Sequence, residues 1–388
     1  MRGKSGIWLI WLPLCLALVL LFSACEKPDS RVLSQDSGSE DGQKPQLYLL
    51  IWEEYLAPSV VERFEKENGV RVVVTEVGNS EQLKQELGTK TDAYDVVVAD
   101  EKTLAELIDL RLLGELDPKR LTPLSSQGEL ILNSSSANET DYSVPYLWGL
   151  TVLAGRTEVI KGIEPSWSMI WREDLKVGLL DEPLDLMWVA LLALGHDPAT
   201  ATKEQVDEAS ARLAKRFPDF QGAMMDMLSA LDALEAGEMD LVMSYNGDAF
   251  SRAVAAPGIE VIVPMEGAPL WLDSLAISRD APNPALAHRF IDFMTTAEVS
   301  AKTASELHYA TPNLKAMAMV DSPLLGEPTL YPKSELLSKC GFVNFPSEIQ
   351  TYINRSMLRL ISESRSRTVA VETPSSGRAR GEEISTDD

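Results

Sequence analysis

Three short runs in the chain set an aromatic ring beside a carboxylate: Trp52-Glu53-Glu54-Tyr55, Tyr245-Asn246-Gly247-Asp248 and Trp271-Leu272-Asp273. The first two follow apolar strand-like segments, and the third opens one. A ring face attracts a cation through its quadrupole, and a carboxylate accepts the hydrogen bonds of an ammonium. Together they suit an alkylammonium group. In the third run the i, i+2 spacing puts Trp271 and Asp273 on one face of a strand. The same rings would also serve as core or rim packing, and composition alone leaves both uses open. Other chemistries are poorly served. The chain has no G-x-x-x-x-G-K-[ST], H-E-x-x-H or G-x-S-x-G, and no G-x-G-x-x-G after a strand. His196, His288 and His308 are scattered, and Cys15, Cys25 and Cys340 form no C-x-x-C pair, so neither a metal nor another cofactor is expected. Cys340 has no histidine near it in sequence and reads as a buried free thiol. Acids are so numerous that no one pair stands out as a glycosidase-type couple. No enzymatic activity is expected.

The elements that must position these residues alternate. Leu47–Ile51 is an apolar strand, Val60, Val61 and Phe64 mark a helix closed by Gly69, and Val70–Val74 returns as a strand. Helix Glu81–Leu87, strand Tyr94–Ala99 and a short helix bearing Leu104, Leu107 and Ile108 continue the cycle. Later come strand Val177–Leu180 and helix Leu184–Leu194, apolar nearly all round. Helices near Lys203–Arg216 and Met225–Ala236 and strands Leu241–Ser244, Ile259–Val263 and Leu275–Ser278 follow. Helices through Leu286–Met294 and over Ser347–Ser362 end the pattern. At 388 residues the chain exceeds what one core usually serves, and two α/β lobes fit it best. In such sheets ligands sit beyond the carboxyl ends of strands, where the aromatic–acid runs fall.

The balance of 59 acids against 35 Lys and Arg gives a net charge of −24, which excludes gripping nucleic acid by its phosphates and is compatible with a cationic ligand. Residues 1–24 have the layout of a signal peptide: Arg2 and Lys4, an apolar run from Ile7 to Phe22, then Ser23-Ala24. Cys25 after that small pair resembles a lipoprotein processing site, leaving Cys25 as the lipidated first residue; an uncleaved anchor is the alternative. Residues 25–45 read as a flexible tether and 363–388 as a disordered tail. The rest is expected outside the cytoplasmic membrane, on the periplasmic or cell-surface side.

Further runs carry a family resemblance: IWEEYLAPSVVERFEKENGV (51–70), YDVVVAD (94–100), DYSVPYLWGLTV (141–152) and SWSMIW (166–171), then YNGDAF (245–250), LWLDSLAI (270–277), YATPN (309–313) and LYP (330–332). From about residue 46 to 359 the chain resembles the spermidine/putrescine-binding proteins of bacterial polyamine ABC importers. The resemblance implies a periplasmic-binding-protein fold, with two discontinuous α/β lobes joined by crossing strands and a ligand cleft between them. One lobe would span 46–149 plus 272–317, the other 150–271 plus 318–362. It implies an aromatic box of Trp52, Tyr55, Tyr245, Trp271 and Tyr309, with Glu182, Asp185 and Asp273 as ammonium-binding carboxylates. The family pattern has Trp at Tyr245, Ser and Tyr at Asp100 and Lys102, Gln at Val343 and Thr at Glu53. Glu53, Asp100 and Lys102 are therefore further candidates at an altered end of the site. The partners implied are a polyamine and an inner-membrane ABC permease, with the protein a monomer. A binder of another cationic solute, or a polyamine sensor, is the alternative.

Overall fold

In the computed structural model, which describes residues 44–122 and 139–372, strand β1 (Gln46–Trp52) leads through helix α1 (Pro58–Asn68) to β2 (Arg71–Val77). Pro58 starts α1 where its missing N–H costs nothing. Gly69 ends it at φ 64°, the left-handed conformation that glycine adopts without strain. Helix α2 (Ser80–Thr89) and strand β3 (Val96–Asp100) complete the second crossover, and β1 pairs in parallel with both β2 and β3. Helix α3 (Glu101–Asp109) follows β3 with no loop between them. Asp100 makes this possible, its carboxylate capping the backbone N–H of Thr103 at 2.9 Å. The parallel sheet is covered on both faces: Leu49, Phe64, Val96 and Phe290 pack on one, Leu50, Leu83, Val97 and Leu107 on the other.

After the short β4 (Leu113–Gly114) comes β5 (Ser143–Arg156), the element around which the molecule is organised. The second lobe then adds β6 (Val177–Leu180), α4 (Pro183–Leu192), α5 (Lys203–Arg216), β7 (Met224–Met225) and α6 (Met227–Glu235). It continues with β8 (Leu241–Tyr245), α7 (Asn246–Ala255) and β9 (Ile259–Ile262). Strand β10 (Pro269–Ser278) returns to the first lobe, followed by α8 (Pro284–Met294) and α9 (Ala297–Leu307). Strand β11 (Gly341–Phe342) and α10 (Ser347–Glu372) finish the described chain. The sheet runs β2-β1-β3-β10-β5-β8-β6-β7. β5 pairs with β10 up to Leu150, and from Thr151 onward with β8 and β9. β10 in turn pairs β11 at Pro269 and β3 from Asp273. These two strands cross between the lobes. Trp167, Leu179, Leu186, Leu213 and Ile353 belong to a separate second core.

The register between β5 and β10 shifts between Asp273 and Ser274, which face Leu147 and Pro145. Tyr146 is the extra residue, a bulge beside a proline that has no N–H for the ladder. Its ring meets Tyr55 edge-on at 5.7 Å between centroids, and its hydroxyl donates to the Tyr55 carbonyl at 3.3 Å.

Several elements differ from the sequence expectation. Tyr245-Asn246-Gly247-Asp248 is the start of helix α7 rather than a loop. Asn246 is fully buried, accepting from Leu150 N and donating to Thr329 O. β10 begins at Pro269, so Trp271 and Asp273 lie within a strand as their spacing indicated, one that starts six residues ahead of Leu275. Val320, Leu324 and Leu325 pack with the first lobe, past the expected boundary at 317. Helix α10 continues to Glu372, so 363–372 are helical rather than disordered. Ser364 there is buried, donating to Asp219 and accepting from Gln221 N. Cys340 is half-buried, and burial pushes its thiol up to about 11. Among the described residues no helix is long and apolar enough to cross a membrane. The signal peptide, Cys25 and the tether up to residue 43, with residues 373–388, lie outside the described residues.

Candidate functional site

A cavity of about 160 Å³ opens where the two lobes face each other across β5 and β10. Trp52, Tyr55, Asp100, Lys102, Asp273 and Tyr309 line it together with Glu182, Asp185, Tyr245 and Trp271. Glu53 and Val343 also border it. Every residue singled out in the sequence as a candidate ligand contact is thus brought to one place.

Local backbone chemistry delivers the rings. After β1 the chain turns through Glu54 at φ 55°, and that turn brings both Trp52 and Tyr55 to the cavity. His308 closes α9 in the same left-handed conformation, at φ 58°. A short bridge between Ala310 and Trp148 on β5 then holds Tyr309 in place. Trp271 is the hub: its ring lies edge-on to Tyr309 at 5.1 Å, Tyr245 at 5.7 Å and Tyr55 at 6.5 Å. Edge-to-face contacts of this kind are worth roughly 0.5–1.5 kcal/mol each beyond their burial, enough to hold the walls in place without a ligand.

Two glycines make room for this cluster. A Cβ on Gly149 of β5 would lie 2.3 Å from Trp271 Cζ2, and one on Gly247 of α7 would lie 2.4 Å from Tyr309 Cε1. Neither ring can retreat, because each is wedged among the others. Gly247→Ala is therefore expected to cost about 1–3 kcal/mol, as overpacking does. It should also displace Tyr309, read as a lowered urea midpoint at unchanged m. A midpoint equal to that of the wild type would mean that Tyr309 does not sit over the first turn of α7.

Asp273 projects from the bulged part of β10 into the aromatic cluster. It is 5% exposed and accepts from Trp52 Nε1 at 3.2 Å. The Tyr55 hydroxyl lies beside it and has no other partner. Burial, then the charge of Asp100, pushes the Asp273 carboxyl up to about 7. Glu182 and Asp185 come from the start of α4, where Glu182 is the cap residue by position yet makes no side-chain cap hydrogen bond. Burial and the neighbouring Asp185 raise Glu182 to about 8. Asp185 accepts from Thr151 Oγ1 at 2.8 Å, and its other oxygen lies 3.9 Å from Lys102 Nζ. Burial raises the Asp185 carboxyl as well.

The lining holds more acid than the sequence pattern indicated. Glu101, Asp226 and Asp248 also border the cavity. Glu101 accepts from Leu272 N at 3.2 Å and is raised to about 8 by burial and by Asp100. Asp248 accepts from the Tyr309 hydroxyl, and burial holds it at about 6. Asp226 caps α6 through Ser229 N at 2.9 Å. Asp248 stands in the Tyr245-Asn246-Gly247-Asp248 run, so its signal was present. Glu101 and Asp226 carried only the mark of acids at helix starts. Among the described residues these acids do not form a group that could hold a metal ion.

Comparison with known proteins agrees with the architecture. Residues 59–325 match the family model described as bacterial extracellular solute-binding protein. The spermidine/putrescine-binding periplasmic protein of Salmonella typhimurium is 31% identical over 77% of this chain and 86% of its own length. The putrescine/cadaverine-binding protein of Pseudomonas aeruginosa is 28% identical over 74% of this chain and 84% of its own. In structure, the spermidine/putrescine ABC transporter substrate-binding protein of Streptococcus pneumoniae superposes with a TM-score of 0.70. That match covers 82% of this chain and 99% of that one at 20% identity, a likeness of fold. Two α/β lobes on crossing strands with a cleft between them form the periplasmic-binding-protein fold. By sequence and by fold together, this chain belongs to the bacterial extracellular solute-binding proteins.

Proposed function

We propose that this protein binds a polyamine outside the cytoplasmic membrane and presents it to an ABC permease for import, without transforming it. The observation that carries the reading is a buried carboxylate, Asp273, walled by Trp52, Tyr55 and Trp271, with Glu182 available farther along the same cavity. A ligand ammonium would displace the proton that burial favours on Asp273 and donate its hydrogen bonds to that carboxylate, while its methylene stem lies against the rings. Micromolar affinity requires about −8 kcal/mol. Ring–cation contacts of ~0.5–2 kcal/mol and charge-assisted hydrogen bonds of ~1.5–3 each supply that after ordering costs. The relatives named for spermidine, putrescine and cadaverine support the same ligand class.

Lobe closure about β5 and β10 would form the shape that a permease reads. The exchange of β5 from β10 to β8 between Leu150 and Thr151 supports a lobe boundary there. The test is calorimetry of the chain without residues 1–24 against putrescine, spermidine, spermine, cadaverine and arginine. Saturable heat with at least one polyamine at micromolar concentration is expected. Heat with none of them, or with arginine alone, would overturn the reading.

The same proposal places the protein on the membrane through a lipid on Cys25, as a monomer. Cys25→Ser is expected to move the protein from the detergent phase to the aqueous phase, or to leave it unprocessed at larger size. Unchanged size and partitioning would support an uncleaved anchor instead.

A further inference from the structure

Lys102 is the one cation among the described residues that line the cavity. It stands on the first turn of α3 in the first lobe, and its Nζ reaches to 3.9 Å from Asp185 of the second. Burial lowers its pKa, but the charges of Asp185, Asp100, Glu182 and Glu101 outweigh that and raise it above the ordinary lysine value. An ammonium on a four-carbon stem, crossing the cleft to a carboxylate, is chemically half of a diamine.

The other acids sort themselves around it. Asp100 is engaged by Thr103 N, Thr103 Oγ1 and Ser80 Oγ. Glu101 takes Leu272 N, Asp226 takes Ser229 N and Asp248 takes the Tyr309 hydroxyl. Asp185 has Thr151 and Lys102. Asp273 at the aromatic end, which accepts from Trp52 Nε1, and Glu182 beside Lys102 keep accepting capacity for a guest, as does Glu53 at the exposed edge of the cavity.

We infer that Lys102 is a tethered occupant of the far subsite, so that the cavity accepts a two-amine ligand and turns away the third amine of a triamine. This rests on the polyamine reading and names the member of that class. A third ammonium brought to about 4 Å from Lys102 would meet like-charge repulsion, which lowers affinity roughly fivefold in water and by more in a partly buried site.

The experiment titrates wild type, Lys102→Met and Lys102→Arg with putrescine and spermidine, after thermal unfolding has shown each to be folded. Wild type should prefer putrescine by about tenfold. Lys102→Met should raise the spermidine-to-putrescine affinity ratio about tenfold, and Lys102→Arg should keep the wild-type ratio. A wild type that prefers spermidine, or an affinity ratio unmoved by Lys102→Met, overturns the role of Lys102 and leaves the polyamine reading standing. A wild type that binds neither overturns the role of Lys102, and the polyamine reading falls with it when spermine and cadaverine give no heat either.

Discussion

Asp273→Asn is expected to weaken diamine binding at pH 8 by at least about a hundredfold, with the fold intact. The carboxylate is buried among Trp52, Tyr55 and Trp271, and its one hydrogen bond comes from an indole N–H. Asparagine keeps the volume and can still accept that bond, so the empty site should pack as before. It cannot supply the counter-charge. Removing one partner of a desolvated ion pair costs roughly 3–5 kcal/mol, which takes a micromolar ligand to between about 0.1 and a few millimolar. Calorimetry measures the loss, and near-ultraviolet circular dichroism of the tryptophans checks the fold. Binding within threefold of wild type would mean that the ligand lies elsewhere.

Diamine binding should also tighten by more than about tenfold from pH 6 to pH 8. In the empty cavity Asp273 holds its proton up to about 7 and Glu182 up to about 8, chiefly because both are buried. A ligand ammonium pairs with the ionised forms, so below these values binding must first expel protons. Amines of lysine-like pKa, near 10.4, keep their charge throughout, so the whole effect belongs to the protein. Titrations at pH 7 in two buffers of different ionisation enthalpy should register proton release, and an affinity flat within twofold from pH 6 to 8 would refute the coupling. Stability of the empty protein should move the other way. The unfolded carboxyls titrate near 4 and the folded ones near 7–8, so the native state holds more protons between those limits and loses stability as pH rises through them.

Much of the fold was legible because local chemistry and final structure agree. Pro58 and Gly69 bracket α1, the unbroken apolar run Leu47–Ile51 matches a strand buried on both faces, and α5 occupies the range its periodicity indicates. The crossing strand was harder to read. Ser143–Arg156 is buried on both faces over nearly all its length, so it has no period, and its pairing partners are remote in sequence. α7 was hidden because Asn246-Gly247 reads as a turn. The buried Asn246 side chain and the Tyr309 ring over Gly247 decide otherwise, and both are tertiary contacts. Trp52, Tyr55, Tyr245 and Trp271 were legible as rings beside acids, whereas Tyr309 came only with the family resemblance. Their convergence was not, since it depends on two lobes meeting.

The long strand β5 has a consequence for how such a protein can change over generations. Gly149 leaves room for Trp271, and Thr151, two residues on, holds Asp185. Both therefore depend on one alternating phase of the strand. Deleting a single residue just before Gly149 would exchange odd for even positions beyond it, bringing Leu150 to the glycine's place and Val152 to the threonine's. The bulge at Tyr146 is the one point where the ladder already absorbs an extra residue, and that residue backs Tyr55. New ligand preferences in this lineage can thus arise by substitution around the cavity. Insertions and deletions are confined to the loops, because the strand that joins the lobes also keeps their count.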